Sequence, residues 1–393
     1  MTAQAKRILV IGMADSIHVS RWLDIAVDST DLEVLLIPTS PHRRIHSGIA
    51  ERSKSGSSGA FRIHGFLKWA SLPVWALDRD FAFKGRFRAA VIARAIRTFK
   101  PDFIHVMETQ NGGYPFAIAA DSLTSEGVAI PKSMLTLFGS DLFWFSRFDT
   151  HLARIKRVLA NVQLLSAECA RDISHAQALG FNGETLPLMP VSGGLADDQI
   201  AEAESAAVFS SRKTIAIKGY GGVWGQGHLA VKALAQFPNE LRGYSVEIYS
   251  AEKAVQVAAE NFLKPLGIPV IIHPKFALNH SEILALYRRS RIYVGLSKSD
   301  GLPASMLEAM SQGCYPIQTA SACTDGWVTD NVTAMVITNP ESAELVKALG
   351  FALTETEALQ AAQVKNLETI RAKYSKSALQ SSSAIGYSEL VSS

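Results

Sequence analysis

The sequence predicts an α/β protein built from two successive doubly wound, Rossmann-like domains. Short β-branched runs alternate with helical patterns along the chain, as βαβ units require. A glycine-ended strand followed by a helix opens the chain, and the same pattern starts again in the second half. In the first half, 7–12 and 32–38 read as strands with a helix near 18–28 between them, and 103–106 and 133–139 continue the sheet. Residues 47–60 are rich in Gly and Ser and read as a mobile loop. In the second half, 213–219, 245–250, 269–273 and 292–297 read as strands, with a helix near 226–236. The expected division is 1–195, a linker at 196–212 that lacks a strand pattern, and 213–369, with a last helix at about 370–393 returning to the first domain. Ligands of such sheets bind beyond the carboxyl ends of the strands, which puts the chemistry in a central cleft faced by both domains.

Composition agrees with a globular protein. Of 393 residues 48% are hydrophobic and 19% charged, enough for more than one core and unlike a disordered chain. Three scattered cysteines, Cys169, Cys314 and Cys323, have no metal-ligand spacing and suit a cytosolic protein. No secretory leader opens the chain, and no apolar run approaches the ~18–20 residues of a membrane span. The expectation is a cytoplasmic protein that can still rest on the inner face of the membrane.

Charge is uneven. Between Pro41 and Lys100 thirteen basic residues face three acidic ones, a local excess of ten, with Phe61, Phe66, Trp69, Trp75, Phe81, Phe83 and Phe87 interleaved. That mixture suits an anionic leaflet or a lipid-linked phosphate, and equally a solvated helix face. Nucleic acid is not an expected partner.

The most informative stretch is 297–319. A strand ends near Ser297, a loop with Gly301 and Pro303 follows, and a helix runs from about Ala304 to Gln312. The start of that helix offers N–H donors and a positive dipole end to a phosphate, from Gly301, Leu302, Ala304 and Ser305, since Pro303 has no N–H. Asp300 in the loop suits a sugar ring, and Glu308 suits the two hydroxyls of a ribose. Met306, Leu307 and Met310 fall at helical spacing and read as core.

This stretch resembles the E-x7-E signature of retaining glycosyltransferase family 4, of GT-B fold, in the form Asp300-x7-Glu308, followed by Glu308-Ala309-Met310, Gly313 and Pro316-Ile317. Segments 16–23, 105–114, 138–141 and 166–172 also resemble that family's N-terminal motifs, so the likeness covers nearly the whole chain. It implies a metal-independent glycosyltransferase, retaining anomeric configuration, that carries a sugar from a nucleotide-sugar donor to a carbohydrate or lipid-linked acceptor. No cofactor is implied. Catalytic roles fall to Asp300, Lys218 and His105. The donor side comprises Gly219, Gly221 and Gly222 of the glycine-rich loop at 217–228, with Gly301, Leu302, Ala304, Ser305 and Glu308. The acceptor side comprises Ser16, His18, Arg21, Glu108, Asp141 and Glu168.

The chain departs from the family twice. Phe138 stands where a histidine of an H-G-x-D pattern belongs, and the glycine-rich loop has Lys218 but Gln226 in place of a second cation. Those departures keep open a non-catalytic nucleotide-sugar-binding partner, and fold alone keeps open a nucleotide-sugar epimerase. Asp78-Arg79-Asp80 has the letters of a metal motif, but it ends no strand and reads as chance. Neither a G-x-S-x-G elbow nor a G-x-G-x-x-G fingerprint after the first strand is present.

Overall fold

The computed structural model describes residues 6–27, 32–39, 45–55, 61–64, 76–78, 84–205, 208–222 and 224–380. They divide into two compact units, one reaching to Gly194 and the other spanning Leu195–Ala378. The expected return of the chain end lies mostly outside the described residues, beyond Gln380.

The first unit contains β1 (Lys6–Gly12), α1 (Ile17–Val27), β2 (Leu32–Pro38), α2 (Ser47–Ser55), β3 (Phe61–Ile63), α3 (Arg86–Phe99) and β4 (Phe103–Met107). It continues with α4 (Tyr114–Ser125), β5 (Ser133–Thr136), α5 (Ser140–Phe143), α6 (Asp149–Ala160), β6 (Leu164–Ser166), α7 (Ala170–Ala178) and β7 (Glu184–Thr185). Among the described residues the strands form one parallel sheet in the order β3-β2-β1-β4-β5-β6-β7. The chain reverses direction of travel between β1 and β4, which makes their carboxyl ends the switch point. Both faces are covered, so the central strands are continuous apolar runs. Leu9, Ile11, Ile104 and Val106 pack on one face, and Ile8, Val10, Phe103 and Met107 on the other. Helix α3 buries Ala89, Ile92, Ala93, Ile96 and Phe99, the i, i+3, i+4, i+7 stripe of a helix on a sheet.

One expectation fails here. Of the Gly/Ser-rich stretch read as a mobile loop, Ser47–Ser55 is a helix. Ile49 is fully buried, and Arg52 pairs with Asp24 of α1 at 2.7 Å, so tertiary contacts override weak local propensity. Residues 56–60 lie outside the described set.

The second unit begins with a short helix, α8 (Asp197–Ala201), and single 3-10 turns in the segment expected to link the domains. It then contains β8 (Thr214–Lys218), α9 (Gly227–Leu234), β9 (Ser245–Ala251), α10 (Lys253–Phe262), β10 (Val270–Pro274), α11 (His280–Arg289) and β11 (Ser290–Gly295). After these come α12 (Ala304–Ser311), β12 (Tyr315–Thr319), β13 (Met335–Ile337), α13 (Ala343–Thr354) and α14 (Thr356–Lys373). The sheet is again parallel, in the order β10-β9-β8-β11-β12-β13, with its switch point between β8 and β11. Ile215, Ile217, Val246, Ile248, Ile292 and Val294 centre its core. Arg212 donates to the carbonyls of Gln312, at 2.8 Å, and Ser290, closing the negative end of α12. Met306, Leu307 and Met310 are buried, as their spacing predicts. Among the described residues no helix is long and apolar enough to cross a membrane.

Candidate functional site

In the second unit the site grows from the switch point. Val294 of β11 pairs with Ile217 of β8, so Lys218 and the loop after Gly295 emerge side by side. The glycine-rich loop is then tied down: Gln226 N–H donates to the Leu296 carbonyl at 2.9 Å, and Lys298 N–H to that of Trp224 at 2.8 Å. Gly219 is required by space, since a Cβ there would lie 2.6 Å from Ala251 Cα; Gly222 has φ 61°, in the region glycine tolerates best. Gly221 N–H reaches Glu252 at 3.3 Å.

This pinning brings Lys218 Nζ to 3.6 Å from Asp300, with both side chains only partly exposed. Burial by itself lowers the lysine pKa, but attraction to Asp300 outweighs it and raises it. Lys218 is therefore a permanent cation. Asp300 also accepts from Gly301 N–H at 3.0 Å, while the Gly301 carbonyl accepts from Cys323 N–H at 2.9 Å.

Helix α12 starts beside this pair. Pro303 is its N-cap; Leu302 is buried, and Ala304 and Ser305 are half-buried at the first positions. Ser305 Oγ lies 3.0 Å from the Tyr293 hydroxyl. Beneath them Tyr287 donates to Tyr249 at 2.7 Å, and burial raises the pKa of all three tyrosines, which stay neutral donors. One turn along, Glu308 is 8% exposed, and its Oε1 lies 2.9 Å from His280 Nε2. Sequence reasoning missed His280. Its only signal is its position at the start of a helix opened by a capping box of Asn279 and Glu282.

The first unit carries its polar groups beyond the carboxyl ends of β1, β4, β5 and β6. Ser16 Oγ accepts from His18 N–H at 3.2 Å and so opens α1. The His18 ring stands edge-on to Phe138 with centroids 6.4 Å apart. Arg21 donates to the Ser192 carbonyl at 3.3 Å, and Glu168 accepts from Val191 N–H at 2.9 Å. Glu108 follows β4 with φ 67° and ψ 147°, a costly conformation for a non-glycine residue. It leads into a π-turn, Thr109–Gly113, gripped by two carboxylates: Glu108 accepts from Asn111 N–H, and Asp141 from Thr109 N–H at 2.8 Å. Burial first, then the charge of Asp141, pushes Glu108 up to about 7; burial pushes Asp141 up to about 6.

His105 sits differently. It lies inside β4, fully buried, 2.7 Å from Thr136 Oγ1 and with the Trp22 ring tilted against it, centroids 4.1 Å apart. Burial lowers its pKa to about 3, so it is a neutral packing residue with no exposed surface for a substrate. The Asp78-Arg79-Asp80 letters are likewise explained, as far as Asp78: it is fully buried, 2.9 Å from Arg88 Nε, and accepts from Phe87 N–H at 2.8 Å. Asp80 lies outside the described residues.

Two parallel doubly wound units, each with its polar groups at a switch point, define the GT-B fold of glycosyltransferases. Residues 228–368 match the sequence model of the family described as Glycosyl transferases group 1, and with this fold they make the chain a glycosyltransferase. Among solved structures, it is similar to sucrose-phosphate synthase of Thermosynechococcus elongatus at 14% identity and a TM-score of 0.69, over 98% of this chain and 99% of that one. It is also similar to an α,α-trehalose-phosphate synthase (UDP-forming) of Burkholderia vietnamiensis, at 14% identity and 0.66, over 99% and 100%. Anabaena HepE in complex with UDP-glucose is similar at 12% identity and 0.66, over 98% and 99%. No curated protein sequence matches significantly.

Proposed function

We propose that this glycosyltransferase belongs to family 4 and moves a sugar from a uridine-type nucleotide donor to a carbohydrate or lipid-linked acceptor, with retention and without a metal. The observation that carries the reading is the meeting of Lys218, Asp300 and the start of α12 at one switch point, with Glu308 one turn further on. The UDP and UDP-glucose complexes of HepE support the choice of nucleotide.

In this reading the bond between the sugar C1 and the phosphate oxygen breaks while the acceptor oxygen bonds to C1 on the same face. The proton of the acceptor hydroxyl passes to the departing phosphate. Negative charge grows on that phosphate, and Lys218, the glycine-rich loop with its Gly222 amide and the N-terminus of α12 stabilise it. Asp300 orients the sugar, and Glu308 holds the ribose hydroxyls. Ser16, His18, Arg21, Glu108, Asp141 and Glu168 serve the acceptor, His18 taking the place of the imidazole missing at Phe138. The enzyme works in the cytoplasm, in surface polysaccharide or glycolipid synthesis, with its basic region against an anionic membrane.

The test is a panel of nucleotide-sugars with released nucleoside diphosphate as the readout, and NMR of the product for anomeric configuration. Release from none of them, with and without candidate acceptors, removes the reading; an inverted product removes family 4.

A further inference from the structure

We propose that Lys275 is the second cation of the donor diphosphate site, reaching it from the loop after β10. This rests on the donor reading above and adds a residue that the glycine-rich loop does not contain. A nucleoside diphosphate brings more than one negative charge. Lys218 brings one positive charge, and Asp300, 3.6 Å away, offsets it. Gln226 supplies no charge, and it is buried with its backbone N–H held by Leu296.

Tyr220 follows Lys218 and Gly219 at the end of β8. Its ring centroid lies 4.7 Å from Lys218 Nζ and 5.7 Å from Lys275 Nζ, so one aromatic ring gathers two ammonium groups beside the glycine-rich loop. Lys275 is exposed, and among the described residues no carboxylate pairs with it, which leaves its charge available to an anion. Its other aromatic contact is Phe276, at 5.6 Å. Phe276 is 89% exposed and has φ 67°, a costly combination for a bulky residue. The loop keeps that cost at the position that turns the chain beside Tyr220.

The experiment is calorimetric titration of the full chain with UDP, GDP and ADP, carried forward with whichever binds most tightly. Lys275→Gln should weaken that diphosphate about tenfold, the size of one charge-assisted contact at a partly open site, and flatten the salt dependence of binding. Lys275→Arg should restore most of the loss, while Lys264→Gln, an exposed control paired with Glu260, should lose none. Binding of the corresponding nucleoside, followed by NMR, should be equal in wild type and Lys275→Gln. Unchanged diphosphate affinity in a folded Lys275→Gln protein overturns the proposal, as does equal loss for nucleoside and diphosphate, which would place Lys275 on the base. If wild type binds none of the three diphosphates, the donor reading itself fails.

Discussion

Glu308 Oε1 lies 2.9 Å from His280 Nε2, so the carboxylate predicted to hold a ribose is itself held by the first residue of α11. Such a contact fixes one oxygen of the carboxylate and limits the rotamers of a side chain that must present the other. Glu308→Ala should therefore abolish or severely weaken nucleotide binding, by about 2–3 kcal/mol or more for a charge-assisted hydrogen-bond pair. His280→Ala should cost less, because the carboxylate remains and only its orientation is freed. Calorimetry on both variants, with circular dichroism to confirm folding, ranks them; full UDP affinity in Glu308→Ala would remove Glu308 from the site.

Asp300→Asn separates two roles. The neutral amide no longer offsets Lys218, so affinity for UDP alone should hold or rise. Turnover should fall about a hundredfold or more, the size expected when a preorganised polar contact to the reacting group is lost. Parallel loss of UDP affinity and turnover would mean that Asp300 serves the phosphate site or the loop rather than the sugar.

Much of this arrangement is legible in sequence because it depends on local order. The strand–loop–helix around Asp300 and Glu308 is continuous in the chain, and Gly301 with Pro303 mark where α12 begins. His280 and Lys275 are not legible, because they meet Glu308 and Tyr220 only when the strand order 10-9-8-11 folds distant loops to one end of the sheet. The misread positions have the same cause. His105 looks like a strand-end imidazole in sequence, yet Trp22 and Thr136 close over it from other elements. Helix α2 has weak propensity, and Ile49 and Arg52 stabilise it through contacts that no short window contains.

The first unit should lose stability as pH rises from the ordinary carboxylate range towards neutrality. Burial raises Glu108 to about 7 and Asp141 to about 6, above their ordinary carboxylate values. A raised carboxyl binds its proton more tightly in the folded state, so its stabilisation is complete below the unfolded pKa and disappears as pH passes the folded one. The window runs from about 4.5 to about 7 for Glu108. Glu108→Gln keeps an acceptor for Asn111 N–H and cannot ionise. It should melt above wild type at pH 8, with the difference shrinking towards pH 5. Parallel melting curves across that range would show that Glu108 titrates normally.

Asp78 should behave as a structural residue. Removing one partner of a buried ion pair strands the other, here Arg88 at 5% exposure, and costs about 3–5 kcal/mol. Asp78→Ala should lower the urea midpoint accordingly, while activity of the wild-type enzyme should survive EDTA. Activity lost to EDTA and restored by Mg²⁺ or Mn²⁺ would reopen a metal-dependent mechanism.

The basic stretch between Pro41 and Lys100 should bind anionic membranes through a smaller set of residues than its composition suggests. Arg88 is buried against Asp78, and Arg52, Arg62 and Arg97 pair with Asp24, Glu33 and Glu126. Arg43, Arg44, Lys68 and Arg79, with most of the aromatics, lie outside the described residues. Lys54, Lys84, Arg86, Arg94 and Lys100 are exposed. Each basic residue near an anionic leaflet is worth about 1 kcal/mol, so these five alone should give measurable adsorption. The attraction should fade once salt shortens the Debye length to about 3 Å, near 1 M. The measurement is co-sedimentation with anionic and neutral vesicles over a salt series, comparing wild type with Lys84→Gln, Arg86→Gln and Arg94→Gln combined. Arg88 must be left in place, because its loss would unfold the region rather than discharge it. Equal and negligible pelleting of both proteins under every condition would show a solvated helix face, and would turn the search for an acceptor towards soluble carbohydrates.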